Sequence, residues 1–299
     1  MSEASGNDAG NRRWPWPQVS WIVRDLRDTD RTGLRTPDPG PSRVTKRSFA
    51  WVAIAVLYAL GWGMGILAAV LVLNGAEAPP QASPDRLPST VASLVVDVFV
   101  VTLALVVMRV FRGQKLPREH WRPMLRTVPL TALAMLVGFI GVSLVSAVLS
   151  LEKMSYPFPD MNMGLSTILW TLSLLLAGPT EEFVLVGVVA TVLRRTGYSW
   201  WTVAAVAVVL RIPFHLYYGW GAIGMAVWAV LVAALYRRTG SLLGLAIGHA
   251  LYNVLTLAGP FAGVGRVALA LAGLGLAIHY LASNLQTDRH LPAPSLTSR

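Results

Sequence analysis

Eight apolar runs pattern the chain, at about 49–73, 91–108, 129–150, 165–193, 198–218, 221–236, 241–257 and 261–284. Most reach the ~20 residues that a spanning helix needs, while 221–236 and 241–257 are short enough to pack inside a bundle. Glycine and proline inside these runs are tolerable, because neighbouring helices satisfy the backbone groups they free. The pattern predicts an all-α fold, a polytopic membrane helix bundle of about eight transmembrane helices over residues 48–284. A polar, basic segment precedes it at 1–47 and a short tail follows it at 285–299.

Composition narrows the class. Of 299 residues, 54% are hydrophobic and 13% charged, with a mean hydropathy of +0.55. Soluble domains carry roughly a quarter charged residues, so an ordinary soluble enzyme and any disordered or fibrous class are excluded. A net charge of +10 would suit nucleic acid if the basic residues shared one soluble face. Here they sit between apolar runs, so the expected partner is membrane lipid and not nucleic acid. Of the 25 lysines and arginines, 21 fall in 1–47, 109–128, the turns at 194–195 and 237–238, and the C-terminal tail. Those segments share one side of an eight-span bundle. The positive-inside rule predicts a cell-membrane protein with both termini cytoplasmic. The Pro, Gly, Asp and Arg content of 29–42 predicts disorder in the first tail. Trp14, Trp16 and Trp21 lie at the membrane surface or are simply solvated. Cysteine is absent, which removes disulfides, thiol nucleophiles and thiolate metal sites.

Ionisable groups in hydrocarbon cost several kcal/mol, so those inside the runs are functional candidates. Glu181 and Glu182 follow Gly178-Pro179-Thr180. Proline interrupts a helical ladder, and Thr180 is placed to cap a helix restarting with both carboxylates in its first turn. A buried pair of this kind needs a cation. Arg211 and His215 share a face if the chain stays helical past Pro213, and His249 and Asn253 stand one turn apart on the next-to-last run. Asp97 and Arg266 lie at similar depth and are expected to form a structural ion pair. Tyr217, Tyr218, Trp200, Trp201 and Trp220 sit at run ends, where an interfacial aromatic belt accounts for them.

Such a set supports hydrolysis. A carboxylate and an imidazole polarise a water between them, while a second imidazole and an amide donate to a developing oxyanion. The same Glu181, His215 and His249 would alternatively ligate zinc with an open fourth position, although no His-Glu-x-x-His is present. A proton relay in a transporter uses the same residue types, but the polar residues cluster in one stretch with no paired repeat.

Glu181-Glu182, Gly187, His215 and His249-x-x-x-Asn253 resemble the CPBP intramembrane proteases, which include the type II CAAX prenyl proteases and Abi-type relatives. The resemblance covers about 165–257. It implies an intramembrane endopeptidase acting on membrane-associated proteins or peptides. Glu181 and His215 then activate water, and His249 and Asn253 stabilise the oxyanion. Relatives include both metalloproteases and metal-independent glutamate proteases, so the resemblance implies either zinc or no cofactor.

Two positions depart from the family pattern: Val186 stands where arginine is expected, and Arg211 where phenylalanine is expected. Arg211 is expected to supply, from a neighbouring helix, the cation that Glu182 lost, since removing one partner of a buried pair is expensive. The opposing reading of the same departures is a catalytically silent scaffold or immunity protein.

Overall fold

The computed structural model describes residues 30–34, 43–76, 87–113, 121–151, 164–255 and 261–289, and every regular element among them is a helix. In chain order these are α1 (Arg43–Leu73), α2 (Leu87–Arg112), α3 (Trp121–Val148), α4 (Leu165–Arg195), α5 (Trp200–Arg211), α6 (Met225–Thr239), α7 (Leu242–Val254) and α8 (Ala262–Arg289). Two short 3-10 segments, Pro213–Tyr218 and Trp220–Gly224, join α5 to α6. Each predicted apolar run has a helix in its place. Six described stretches are long and apolar enough to cross a membrane: α1 from Lys46, α2, α3, α4, Trp220–Thr239, and α8 as far as His279. The shorter apolar helices are α5 and α7.

Burial sorts the helices into an inner and an outer set. The apolar window of α4 is 56% buried, against 17% for α1, α2 and α8, so α4 runs through the middle. It packs against α2 and α7, while α3 touches α6, α7 and α8. The outer faces are apolar and bare, with Met64 78% and Val148 79% exposed. A contiguous surface of this kind belongs in lipid, not water. The chain is a multi-pass membrane protein.

Several boundaries differ from the sequence reading. The run 198–218 is not one helix: α5 stops at Arg211, because Pro213 lacks the N–H that would continue the ladder. The short apolar helices are thus α5 and α7, while 221–236 belongs to a stretch long enough to cross and half buried in the bundle. Pro129, by contrast, is accommodated within α3, which starts at Trp121. Helix α1 begins at Arg43 within the predicted first tail, and α8 continues to Arg289 within the predicted second.

Part of the segment expected to be disordered is docked. The Trp200 indole donates to Asp30 Oδ2 at 2.9 Å, and the Arg31 amide donates to the Arg237 carbonyl at 3.0 Å. Leu34 is 1% exposed. Compositional bias does not register such anchoring, which rests on a few specific bonds. The remainder of 1–42, including Trp14, Trp16 and Trp21, and residues 290–299 lie outside the described residues.

Basic residues from several elements meet at this same end. Arg47 donates to the Thr196 carbonyl, Arg195 to the Arg112 carbonyl, and Arg112 to the Tyr236 hydroxyl. The guanidinium carbons of Arg194 and Arg237 lie 5.5 and 5.7 Å from the Trp200 ring centroid.

Candidate active site

Helix α4 does not restart at Thr180. It passes through Pro179, and the Thr180 hydroxyl donates back to the Leu176 carbonyl at 2.9 Å instead of capping anything. The predicted placement of both glutamates in a helix first turn is therefore wrong. The single missing N–H of Pro179 is absorbed within the bundle. The helix then widens into a π-helical stretch, Glu182–Val188, a turn of the sort found at functional positions.

Gly178 sets the distance to α7. A Cβ there would stand 2.6 Å from the Ala250 nitrogen and 3.1 Å from the His249 carbonyl carbon, so only glycine permits this approach. One turn further on, the close contact brings Glu182 to His249. Gly187, read as part of the motif, serves a similar end: its Cβ would meet Leu242 at 2.6 Å and the Met108 sulfur at 2.9 Å.

Glu182 is fully buried, and its Oε1 accepts from two donors. Arg211 Nη2 and His249 Nδ1 each lie 2.9 Å from it. The cation that the carboxylate pair requires is thus Arg211, brought from the end of α5, while Val186 is 1% exposed within the apolar core. Glu181 is also buried, and its Oε2 stands 3.9 Å from Arg211 Nε.

Arg211 also fixes His215. Its carbonyl lies 2.8 Å from His215 Nδ1 and can only accept, so Nδ1 carries the proton and Nε2 is left as a lone pair in the neutral ring. The expected one-turn relation between Arg211 and His215 is realised, although through the main chain and across a helix end. His249 Nδ1 is likewise committed to a carboxylate. Asn253 Nδ2 lies 3.4 Å from the Leu174 carbonyl on α4, at the same α4–α7 seam. All four residues named for catalysis, Glu181, His215, His249 and Asn253, lie along α4, the 3-10 segment after α5, and α7, with Glu182 and Arg211 beside them.

Trp228 escapes the sequence reading. It is 1% exposed, and Arg211 Cζ lies 4.0 Å from its ring centroid. The same indole meets His249 edge-on at 4.9 Å and His215 at 5.7 Å. Its middle position in the run 221–236, away from the interfacial ends, is the one signal the sequence offers. Gly138 seats it, since a Cβ on α3 would stand 2.6 Å from Trp228 Cβ. Tyr217 and Tyr218 also come to the site. Their rings lie 5.8 and 6.2 Å from His215, and Tyr218 also meets Phe139, so they border the site.

The expected Asp97–Arg266 pair does not form. Asp97 faces the Thr180 side chain, one residue before Glu181. Arg266 lies over the Tyr252 ring at 5.6 Å and donates to the Ala262 carbonyl. Depth along two separate helices carries no information about which faces meet.

Five buried polar atoms of the cluster have no hydrogen-bond partner: Glu181 Oε2, Glu182 Oε2, Arg211 Nε and Nη1, and Trp228 Nε1. Buried groups left this way are costly unless water or a guest meets them. Zinc does not fit the arrangement. Among the described residues no three His, Asp or Glu side chains could hold a metal ion, and a guanidinium already stands beside both carboxylates. The chemistry is therefore derived from the side chains.

No curated protein and no solved structure matches the chain. Residues 163–255, which hold Glu181, Glu182, Arg211, His215, Trp228, His249 and Asn253, match the family model for type II CAAX prenyl endopeptidase, Rce1-like. This match supports the resemblance of the segment, with its paired glutamates, two histidines and asparagine, to the CPBP intramembrane proteases.

Proposed function

We propose that the chain is an endopeptidase of the cell membrane that hydrolyses peptide bonds in membrane-associated protein or peptide substrates through water activated by Glu181 and His215. The observation that carries this reading is the cluster itself. Two carboxylates, a guanidinium and two imidazoles converge in a lipid-facing protein, and several of their polar atoms are left without protein partners. His215 presents Nε2 as a base, because its Nδ1 proton is held by a carbonyl. His215 Nε2 accepts a hydrogen bond from the water, and Glu181 takes the proton that leaves it as the water attacks. His249 and Asn253 donate to the oxyanion from α7. Collapse of the tetrahedral intermediate returns that proton to the leaving amine, giving a carboxylic acid and an amine from peptide and water.

The basic end of the bundle supports a cytoplasmic location for the turns at 194–195 and 237–238, and hence for both flanking segments. The test is cleavage of a panel of peptides and membrane proteins by the purified protein in liposomes, with Glu181→Ala and His249→Ala beside wild type. Product formed by wild type and lost in both variants is expected. Equal product in all three discards the reading.

A further inference from the structure

Arg211 occupies a place where the family pattern has phenylalanine, and its charge on Glu182 accounts for only one of its nitrogens. Nη2 binds Glu182, while Nε and Nη1 are buried and unpartnered. Nε stands 3.9 Å from Glu181 Oε2, which is equally buried and unpartnered. That separation is too long for a direct hydrogen bond. It suits a single oxygen atom lying ~2.8 Å from each, accepting from the nitrogen and donating to the carboxylate. We infer that Arg211 is a catalytic residue of this chain, holding the nucleophilic water against Glu181 through its Nε–H. The inference rests on the hydrolase reading above and adds to it a residue that touches the reacting oxygen.

The donor inventory points the same way. With Nδ1 given to Glu182, His249 offers a lone pair at Nε2 unless the ring takes a second proton. His215 offers the same. Against the two carboxylates, Arg211 keeps its N–H donors whatever the state of the histidines, while the Asn253 amide lies against the Leu174 carbonyl. Arginine keeps its charge under all conditions, and its planar fork is fixed here by Glu182 on one edge and Trp228 on its face. A rigid donor of this kind needs no reorganisation as hydroxide character develops on the water. In the step itself the water oxygen bonds to the carbonyl carbon, its O–H bond breaks, and the proton passes to Glu181 Oε2. The C–N bond then breaks as that proton reaches nitrogen. Arg211 neither gains nor loses a proton.

The experiment compares wild type, Arg211→Lys and Arg211→Gln in liposomes, measuring kcat, KM and inhibition by a phosphinate analogue of whichever peptide wild type cleaves. Lysine keeps a cation for Glu182 but has no Nε–H at the same place; glutamine keeps an N–H donor without charge. In Arg211→Lys, kcat is expected to fall about 10²-fold, as on loss of one donor in other hydrolytic sites, with KM within about twofold. Phosphinate inhibition is expected to weaken in parallel with kcat, because its oxygen takes the place of the attacking oxygen. Detergent melting curves identify any variant that has lost its fold, and the remaining variant then carries the comparison. If both unfold, each is rebuilt with Val186→Arg to return a cation to Glu182. A lysine variant with wild-type kcat and phosphinate affinity overturns the inference while leaving the protease reading intact. Equal losses in KM and in phosphinate affinity assign Arg211 a purely structural role and also overturn it. Absence of wild-type cleavage removes both.

Discussion

Replacing Gly178 by alanine drives a methyl group into the backbone of α7. The added carbon would stand 2.6 Å from the Ala250 nitrogen, 3.0 Å from its Cα and 3.1 Å from the His249 carbonyl carbon. Non-bonded heavy atoms settle at ~3.5 Å or more, and none of these three atoms escapes by a rotamer change. The two helices must therefore part by ~0.5–0.9 Å at this point. The His249–Glu182 bond, 2.9 Å long and one turn away, then stretches to the edge of hydrogen-bond range or beyond it. Overpacking costs ~1–3 kcal/mol. The weakened charge-assisted bond adds ~1–2 kcal/mol. Alanine recovers ~1 kcal/mol through helix propensity. The net expectation is a protein ~1–4 kcal/mol less stable, with slower hydrolysis from a displaced His249. Reversible unfolding in mixed detergent–SDS micelles measures the first quantity, and turnover in liposomes the second. A variant matching wild type in both midpoint and turnover would falsify the argument that Gly178 sets the α4–α7 distance.

Four other perturbations test neighbouring parts of the cluster. Arg211→Phe leaves a buried carboxylate without its cation and is expected to cost ~3–5 kcal/mol; adding Val186→Arg is expected to return most of the unfolding midpoint, and no recovery would refute compensation. Glu182→Ala strands the guanidinium instead, with a loss of similar size on the same assay. Trp228→Ala, which empties a fully buried indole site and bares one face of Arg211, is expected to cost ~3–5 kcal/mol, with Trp228→Phe milder. Hydrolysis is expected to persist after exhaustive chelation, because the side chains do not form a zinc-binding set; activity lost to chelation and restored by zinc would overturn this.

Runs of hydrophobic residues expose the helices because lipid imposes a single demand along their whole length. The expense of charge in hydrocarbon likewise singles out Glu181, Glu182, Arg211, His215 and His249, and the structure brings all five together. The Arg211–Glu182 contact is legible because a buried carboxylate pair requires a cation and few are available. Partnership between helices is not legible elsewhere. Asp97 and Arg266 match in depth alone, yet the rotation of each helix about its axis decides what its side chains meet. Pro179 and Pro213 show the same limit locally. One is absorbed within a helix and the other comes just after a helix end, a difference set by the surrounding packing rather than by proline. Trp228 stays hidden because an indole inside an apolar run looks the same whether it faces lipid or a guanidinium.

The π-helical stretch Glu182–Val188 sets the phase between the two ends of α4. Glu181 ends the α-helical turn before it and Glu182 opens it. Downstream, Arg194 lies against Trp200 and Arg195 against the Arg112 carbonyl, at the opposite end of the bundle. Each residue of an α-helix advances ~100° around the axis. Rewinding the π-helical stretch to α-helical pitch with all its residues kept would turn Val189–Arg195 by about that angle. Glu181 and Glu182 would stay in place while both arginines swung off their partners. The extra residue thus works like a vernier, reconciling one helix with two surroundings that ordinary pitch would satisfy only one at a time.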